Sequence, residues 1–262
     1  MQVVGIIPAR YGSTRFPGKA LALLGGIPMV QHVYEQASRA KLDAVFVATD
    51  DARIVQAVER FGGQAVLTSD RHRTGTERVA EAARPLDARV IVNIQGDEPL
   101  VHPASIDQIV EFLLAHPAVP MATAMTPLTS AEELARPHTV KVVVNQDGYA
   151  LYFSRAPIPY MRTSENSGLR AQGSGHEPPA PIPQPPACYK HLGLYGYQRH
   201  FLMQLPHLPP TPLEQAEQLE QLRVLEHGHT IKVLLTPHDT VGVDTPEDLA
   251  LVERLLAANV TR

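Results

Sequence analysis

Arg10, Arg15 and Lys19 stand with Gly12, Gly18, Ser13 and Thr14 in one short segment, Pro8-Ala9-Arg10-Tyr11-Gly12-Ser13-Thr14-Arg15-Phe16-Pro17-Gly18-Lys19. Two guanidinium groups can grip phosphate oxygens through forked hydrogen bonds, and the lysine adds a compact charge. Gly12 and Gly18, without a Cβ, let backbone N–H groups come close to a ligand. The segment suits a polyphosphate, although a solvated basic turn has the same composition. It is not a Walker A loop, because five residues separate Gly12 from Gly18 and Ala20 follows Lys19 where a hydroxyl is required. No G-x-G-x-x-G occurs, so a dinucleotide-binding reading has no anchor.

Carboxylates supply the other half of such a site. Asp97, in Asn93-Ile94-Gln95-Gly96-Asp97-Glu98-Pro99, follows an apolar run and a glycine that lets another group approach. Beside a polyphosphate it would make a good Mg²⁺ ligand, since hard oxygen donors suit that ion; the alternative is a turn-forming aspartate. Glu98 reads equally as a supporting group or a surface charge. Asp244, in Val241-Gly242-Val243-Asp244-Thr245-Pro246, either helps to start the last helix or holds the metal from the side opposite Asp97. Asp50 and Asp51 read as helix N-terminal acids. Thr74-Gly75-Thr76-Glu77-Arg78 starts another helix, with N–H groups placed either to read a base or ribose edge or simply to be capped. The twelve histidines show no zinc-binding spacing. His191, alternating within a strand pattern, reads as a core histidine before it reads as a ligand.

The elements that must position these residues alternate. Strand-like runs at Val3–Ile7, Ala44–Thr49, Ala65–Leu67 and Val90–Gln95 are separated by helical patterns at Pro28–Ala40, Ala52–Arg60 and Glu77–Arg84, with another at Ala104–Ala115. Such βαβ units predict a parallel sheet with right-handed crossovers and a ligand beyond the carboxyl ends of the strands. The opening loop, Asp50 and Asp97 all fall at those ends. After Val119, strands are predicted at Met121–Thr126, Val140–Val144, Ala150–Ser154 and Tyr189–Tyr197, with a hairpin turn at Asp147-Gly148 and a short helix from Ser130. Thr211-Pro212-Leu213-Glu214 should open one long amphipathic helix, Ile231–Leu235 a late strand, and Thr245-Pro246 the terminal helix. We expect one domain over 1–262, with a mixed-sheet insertion at 120–205 carrying a Pro-rich excursion at 163–187.

The chain of 262 residues carries a net charge of −4, which argues against a general nucleic-acid or membrane-surface binder. Cys188 is alone, so neither an intrachain disulfide nor a cysteine metal cluster is expected. The start lacks a signal-peptide pattern and no apolar run is long enough to span a bilayer, so a cytoplasmic enzyme is expected.

Taken in order, IIPARYGSTRFPGKAL, RTGTER, VNIQGDEPL, YALYFSRAPIP, HLGLYGY, LEQLRVLEHG and GVDTPEDL resemble the 3-deoxy-manno-octulosonate (Kdo) cytidylyltransferase family over nearly the whole chain. The resemblance implies an α/β nucleotidyltransferase-like three-layer domain whose insertion serves dimerisation. It implies the reaction CTP plus Kdo to CMP-Kdo plus pyrophosphate, with Mg²⁺, in a cytoplasmic homodimer supplying lipopolysaccharide assembly, without nucleic-acid or membrane partners. By position, Arg10, Lys19 and Asp97 would be catalytic. Arg10, Gly12, Ser13, Arg15, Lys19, Thr74, Gly75 and Arg78 would hold the nucleotide, and Asp97 and Asp244 the metal. Gln95, His191, Glu220 and Gln221 would face the sugar, which reverses the reading of His191 as core. An 8-amino-Kdo or other acid sugar would be served by few pocket changes, and a nucleotide-binding regulator without catalysis is the rival of another class. Two departures stand out: Gly12 where the family commonly has Ala, and a Pro-rich stretch longer than usual, which would cover the sugar site or extend the dimer edge.

Overall fold

The computed structural model describes residues 1–12, 16–128, 130–160 and 188–260, with side chains to residue 256. Ser13, Arg15 and the Pro-rich stretch 163–187 therefore lie outside the described residues. The strands are β1 (Val3–Pro8), β2 (Leu23–Leu24), β3 (Ile27–Pro28), β4 (Ala44–Thr49), β5 (Ala65–Leu67), β6 (Val90–Asn93), β7 (Met121–Pro127), β8 (Lys141–Val144), β9 (Ala150–Ser154), β10 (Tyr189–Gln198) and β11 (Ile231–Leu235). The helices are α1 (Met29–Ala37), α2 (Ala52–Arg60), α3 (Gly75–Ala83), α4 (Pro103–Ala115), α5 (Ala131–Ala135), α6 (Arg199–Gln204), α7 (Pro212–Glu217), α8 (Gln221–Glu226) and α9 (Pro246–Val260). None of the described helices is long and apolar enough to cross a membrane.

One sheet runs β11-β7-β10-β6-β1-β4-β5, parallel wherever it is not touching β10, which is antiparallel to both β6 and β7. The β8–β9 hairpin branches from the side of β10. Strands from 120–205 thus supply two central members of the same sheet, β7 and β10, as well as that branch. The β-branched run of β1 is buried on both faces, as a sheet covered on both sides demands. Val3 and Ile7 pack in a core shared with α1, α2 and α4, while Val4 and Ile6 pack in a second core with α3, α6 and α8. Val90 and Val92 of β6 face the first core and Ile91 the second, so period-two alternation makes three layers.

The single long helix expected after Thr211 is instead two. Gln218 adopts a left-handed backbone (φ 54°, ψ 48°) between α7 and α8. Arg155 takes the carbonyls that a continuous helix would use: its Nε donates to Glu217 O at 2.7 Å. The Glu217 carboxylate is drawn the same way, accepting from Ser154 Oγ at 2.6 Å and Arg155 N at 2.9 Å. These tertiary bonds outweigh helix propensity, and the pair is closed by Arg223 Nε to Glu214 at 2.8 Å.

Helix α4 lies so close to β10 that a Cβ built on Gly196 would stand 2.7 Å from Leu113 Cδ1 and nearer still to Ile109. A Gly196→Ala variant should lose about 1–3 kcal/mol in urea unfolding through overpacking; undiminished stability would mean that α4 is free to lift from the sheet.

Candidate active site

Because β1, β4, β6 and β11 run the same way, their carboxyl ends meet at one edge of the sheet. Gly96 allows this: a Cβ there would stand 2.8 Å from Pro8 O, so only glycine lets the chain leaving β6 pass the end of β1. A cavity of about 320 Å³ opens at this edge, with Arg10, Lys19, Thr74, Gly75, Arg78, Gln95, Asp97 and Asp244 among its walls.

Lys19 starts a short 3₁₀ turn after Gly18, whose positive φ of 70° and N–H donation to Tyr11 O at 2.9 Å tighten the loop. Its ammonium donates to Asp97 Oδ2 at 2.6 Å and to Asp244 Oδ1 at 3.2 Å. The Asp244 segment is held from beneath, with Val243 N donating to Asp97 O at 2.8 Å and the Val243 side chain buried against Leu24, Met29 and Val252. Lys190 of β10 fastens the same segment further back, donating to Asp239 Oδ1 and Thr240 O, both at 2.8 Å. Two hard oxygen donors at one reach fit Mg²⁺, which commonly takes one or two carboxylates plus substrate phosphates and water. Among the described residues no group of three or more His, Cys, Asp or Glu could hold a metal. Substrate phosphate oxygens and water would complete the shell.

Across the cavity, Thr74 caps α3, accepting from Glu77 N at 3.2 Å, and Gly75 packs on Pro8. Arg78, also in the wall, is oriented from behind: it donates to Asp50 Oδ2 at 2.7 Å and Thr68 Oγ1 at 2.6 Å. Asp51 is the N-cap of α2, as its sequence position suggests. Its carboxylate also grips Arg53, whose guanidinium lies 3.4 Å from the centroid of Tyr11 and braces the opening loop. A Cβ built on Gly12 would meet nothing within 4 Å, so no crowding calls for glycine there.

The residues expected to face a sugar fall in different places. Gln95 lines the cavity, but His191, Glu220 and Gln221 do not. Glu220 sits at the start of α8, its carboxyl hydrogen-bonded to Thr76 Oγ1 behind the Thr74 cap; burial raises its pKa. Gln221 is buried. His191 lies in the core against the edge of Phe153, 2.9 Å from Thr123 Oγ1. That hydroxyl is 2.8 Å from Leu194 O and donates there, so the imidazole donates to it through Nε2–H. Burial pulls its pKa down to about 3. Glu98 is pushed up to about 7 by burial and by Asp97, against the pull of Lys190.

Three features escaped the sequence. His72 and Arg73 line the cavity, and a basic Arg71-His72-Arg73 run just before a helix cap was the signal for them. Lys141 is fully buried, its ammonium donating to the carbonyls of Arg136 and Arg155; nothing in its strand pattern marks it.

A profile described as cytidylyltransferase matches residues 4–231. The 3-deoxy-manno-octulosonate cytidylyltransferase of Trichlorobacter lovleyi is 51% identical over 251 residues, 95% of this chain and 96% of that protein. That of Geobacter sulfurreducens is 51% identical over 255 residues, 96% and 98% respectively. A solved structure of a CMP:2-keto-3-deoxy-manno-octonic acid synthetase complexed with CTP shares the fold with a TM-score of 0.87 at 42% identity, over 99% of this chain and all of that one.

The neutral His191 generates a pH prediction. Its folded pKa lies below its unfolded one, so between them only the unfolded chain binds the proton, and stability is lost as pH falls from about 6.5 toward about 3. Between about pH 7.5 and about pH 5.5 this group should cost about 1.4 kcal/mol, which His191→Gln should remove from the urea-unfolding profile. Equal acid sensitivity in the two proteins would contradict the burial of a neutral imidazole.

Proposed function

This chain belongs to the cytidylyltransferase family, among the 3-deoxy-manno-octulosonate cytidylyltransferases, and we propose from that membership that it makes CMP-Kdo and pyrophosphate from CTP and Kdo. The observation that carries the reading to individual residues is the meeting of Lys19, Asp97 and Asp244 in one cavity. Cytidylyl transfer needs a phosphate-binding cation beside metal-binding carboxylates, and these residues supply both.

The C2 hydroxyl oxygen of Kdo forms a bond to the α-phosphorus in line with the leaving group. The bond from that phosphorus to the β-phosphate oxygen breaks, pyrophosphate departs, and the hydroxyl proton passes to water. Negative charge on the phosphate oxygens is the main obstacle. Arg10 and Lys19 stand at the cavity wall to offset it, and Lys19 is held in place beforehand by Asp97 and Asp244. Asp97 and Asp244 would hold Mg²⁺, which when bound supplies further positive charge at the α-phosphate. Thr74, Gly75 and Arg78 shape the wall where the cytidine would lie, Arg78 through its grip on Asp50 and Thr68. Gln95 is the residue of the proposed sugar set that reaches the cavity directly. Glu220 supports the Thr74 wall from behind. The protein acts as a cytoplasmic homodimer through its 120–205 region, and its product feeds lipopolysaccharide assembly. Intact Arg10, Lys19, Asp97 and Asp244 argue against a regulator that has lost catalysis.

The test is pyrophosphate release with Mg²⁺, crossing CTP, UTP, GTP and ATP with Kdo, 8-amino-Kdo and sialic acid. Release is expected with CTP and Kdo, and a preference for 8-amino-Kdo would move the assignment to that sugar. In the same assay Asp97→Asn should lower turnover on the order of 10²-fold or more while circular dichroism stays unchanged. Near-normal turnover at saturating Mg²⁺ would remove Asp97 from the metal site.

A further inference from the structure

His72, Arg73 and Thr74, at the end of the segment 69–74, line the same cavity as Arg10 and Lys19. The segment has no regular structure, yet it is pinned to the adjoining helix by two carboxylates one turn apart, Glu77 and Glu81 of α3. Glu81 accepts from Ser69 N at 3.0 Å and from the His72 ring at Nε2. Glu77 accepts from Arg73 N at 2.7 Å and lies 3.8 Å from His72 Nδ1. Carboxylates four residues apart on a helix repel one another. His72 is the side chain that lies between them, and the hydrogen bond from its ring helps to hold the Glu81 carboxyl below the usual range against the opposing effect of burial. Removing the ring takes away the common partner and leaves both acids, and the segment they hold, less constrained.

We propose that His72 is a positioning residue for the nucleotide: it latches residues 69–73 onto α3 and so fixes the wall on which Arg73 and Thr74 meet the bound CTP. This rests on the reading of the cavity as a CTP site. The latch acts on the nucleotide wall alone, because the Lys19–Asp97–Asp244 cluster is held by separate bonds from β6, β10 and the segment before α9. Its loss should therefore weaken CTP binding without disabling the chemistry.

The experiment compares His72→Ala and His72→Gln with the unmodified protein. It measures the Kd of CTP by calorimetry without sugar, the KM values for CTP and Kdo, kcat, Tm, and amide hydrogen exchange of residues 69–73 without nucleotide. For His72→Ala we expect a roughly tenfold rise in Kd and KM for CTP, with kcat and the KM for Kdo within about twofold. Exchange at 69–73 should quicken while Tm holds, and His72→Gln, which keeps an N–H donor, should recover part of the CTP affinity. An unchanged CTP Kd, or a parallel loss of kcat, Kdo affinity and Tm, overturns the proposal. Unchanged exchange at 69–73 overturns the latch whatever ligand the cavity takes. Failure of the unmodified protein to bind CTP overturns the function reading itself and with it this assignment of the wall.

Discussion

Asp97 and Asp244 are far apart along the chain and would repel each other at the mouth of the same cavity. The Lys19 ammonium, within 3.2 Å of an oxygen on each, is what lets them stand together. The ion pair is partly exposed, so its worth lies less in stability than in geometry. It keeps two hard oxygen donors side by side and a fixed cation next to them before any substrate arrives. A polyphosphate entering the cavity meets a charge arrangement already organised, and organisation in advance is where such catalysis gains most.

The rest of the molecule can be understood as support for that cluster. Parallel strands put the ends of β1, β6 and β11 at one edge, and β10, running the other way, contributes Lys190 to tether the Asp244 segment. Gly96 lets the chain leaving β6 pass within van der Waals distance of Pro8. Arg53 stacked on Tyr11 stiffens the opening loop, while the α3 start and its preceding segment build the facing wall. The wall and the cluster are tied to different elements, which separates nucleotide recognition from phosphate chemistry in physical terms.

What the amino-acid order revealed was whatever is local. The β-branched run before Pro8, the capping residues Thr74 and Ser130, and the glycine before Asp97 each act within a few residues of their own position, and each lies where its pattern places it. The cation-rich loop followed by Asp97 and Asp244 was legible as a phosphate and metal chemistry, and the family resemblance supplied CTP and Kdo. What stayed hidden depends on partners far along the chain. The break at Gln218 is made by Arg155, and the buried Lys141 is stabilised by carbonyls of Arg136 and Arg155. Arg78 lines the cavity as its place in the helix start suggests, but the bonds to Asp50 and Thr68 that orient its guanidinium join distant segments and are not visible in the local pattern. His191 follows its strand alternation rather than the family resemblance: its ring lies buried beside Thr123 and Phe153, away from the cavity lining.

The most direct test of the central claim is a crystal structure with CTP and Mn²⁺, in which anomalous scattering locates the metal independently of activity. A peak is expected at coordination distance, about 2.0–2.2 Å, from oxygens of both Asp97 and Asp244, with a CTP phosphate oxygen in the same shell. The Lys19 ammonium should remain beside the two carboxylates or move onto the phosphate. A metal bound to CTP alone, with neither Asp97 nor Asp244 in its shell, would contradict this.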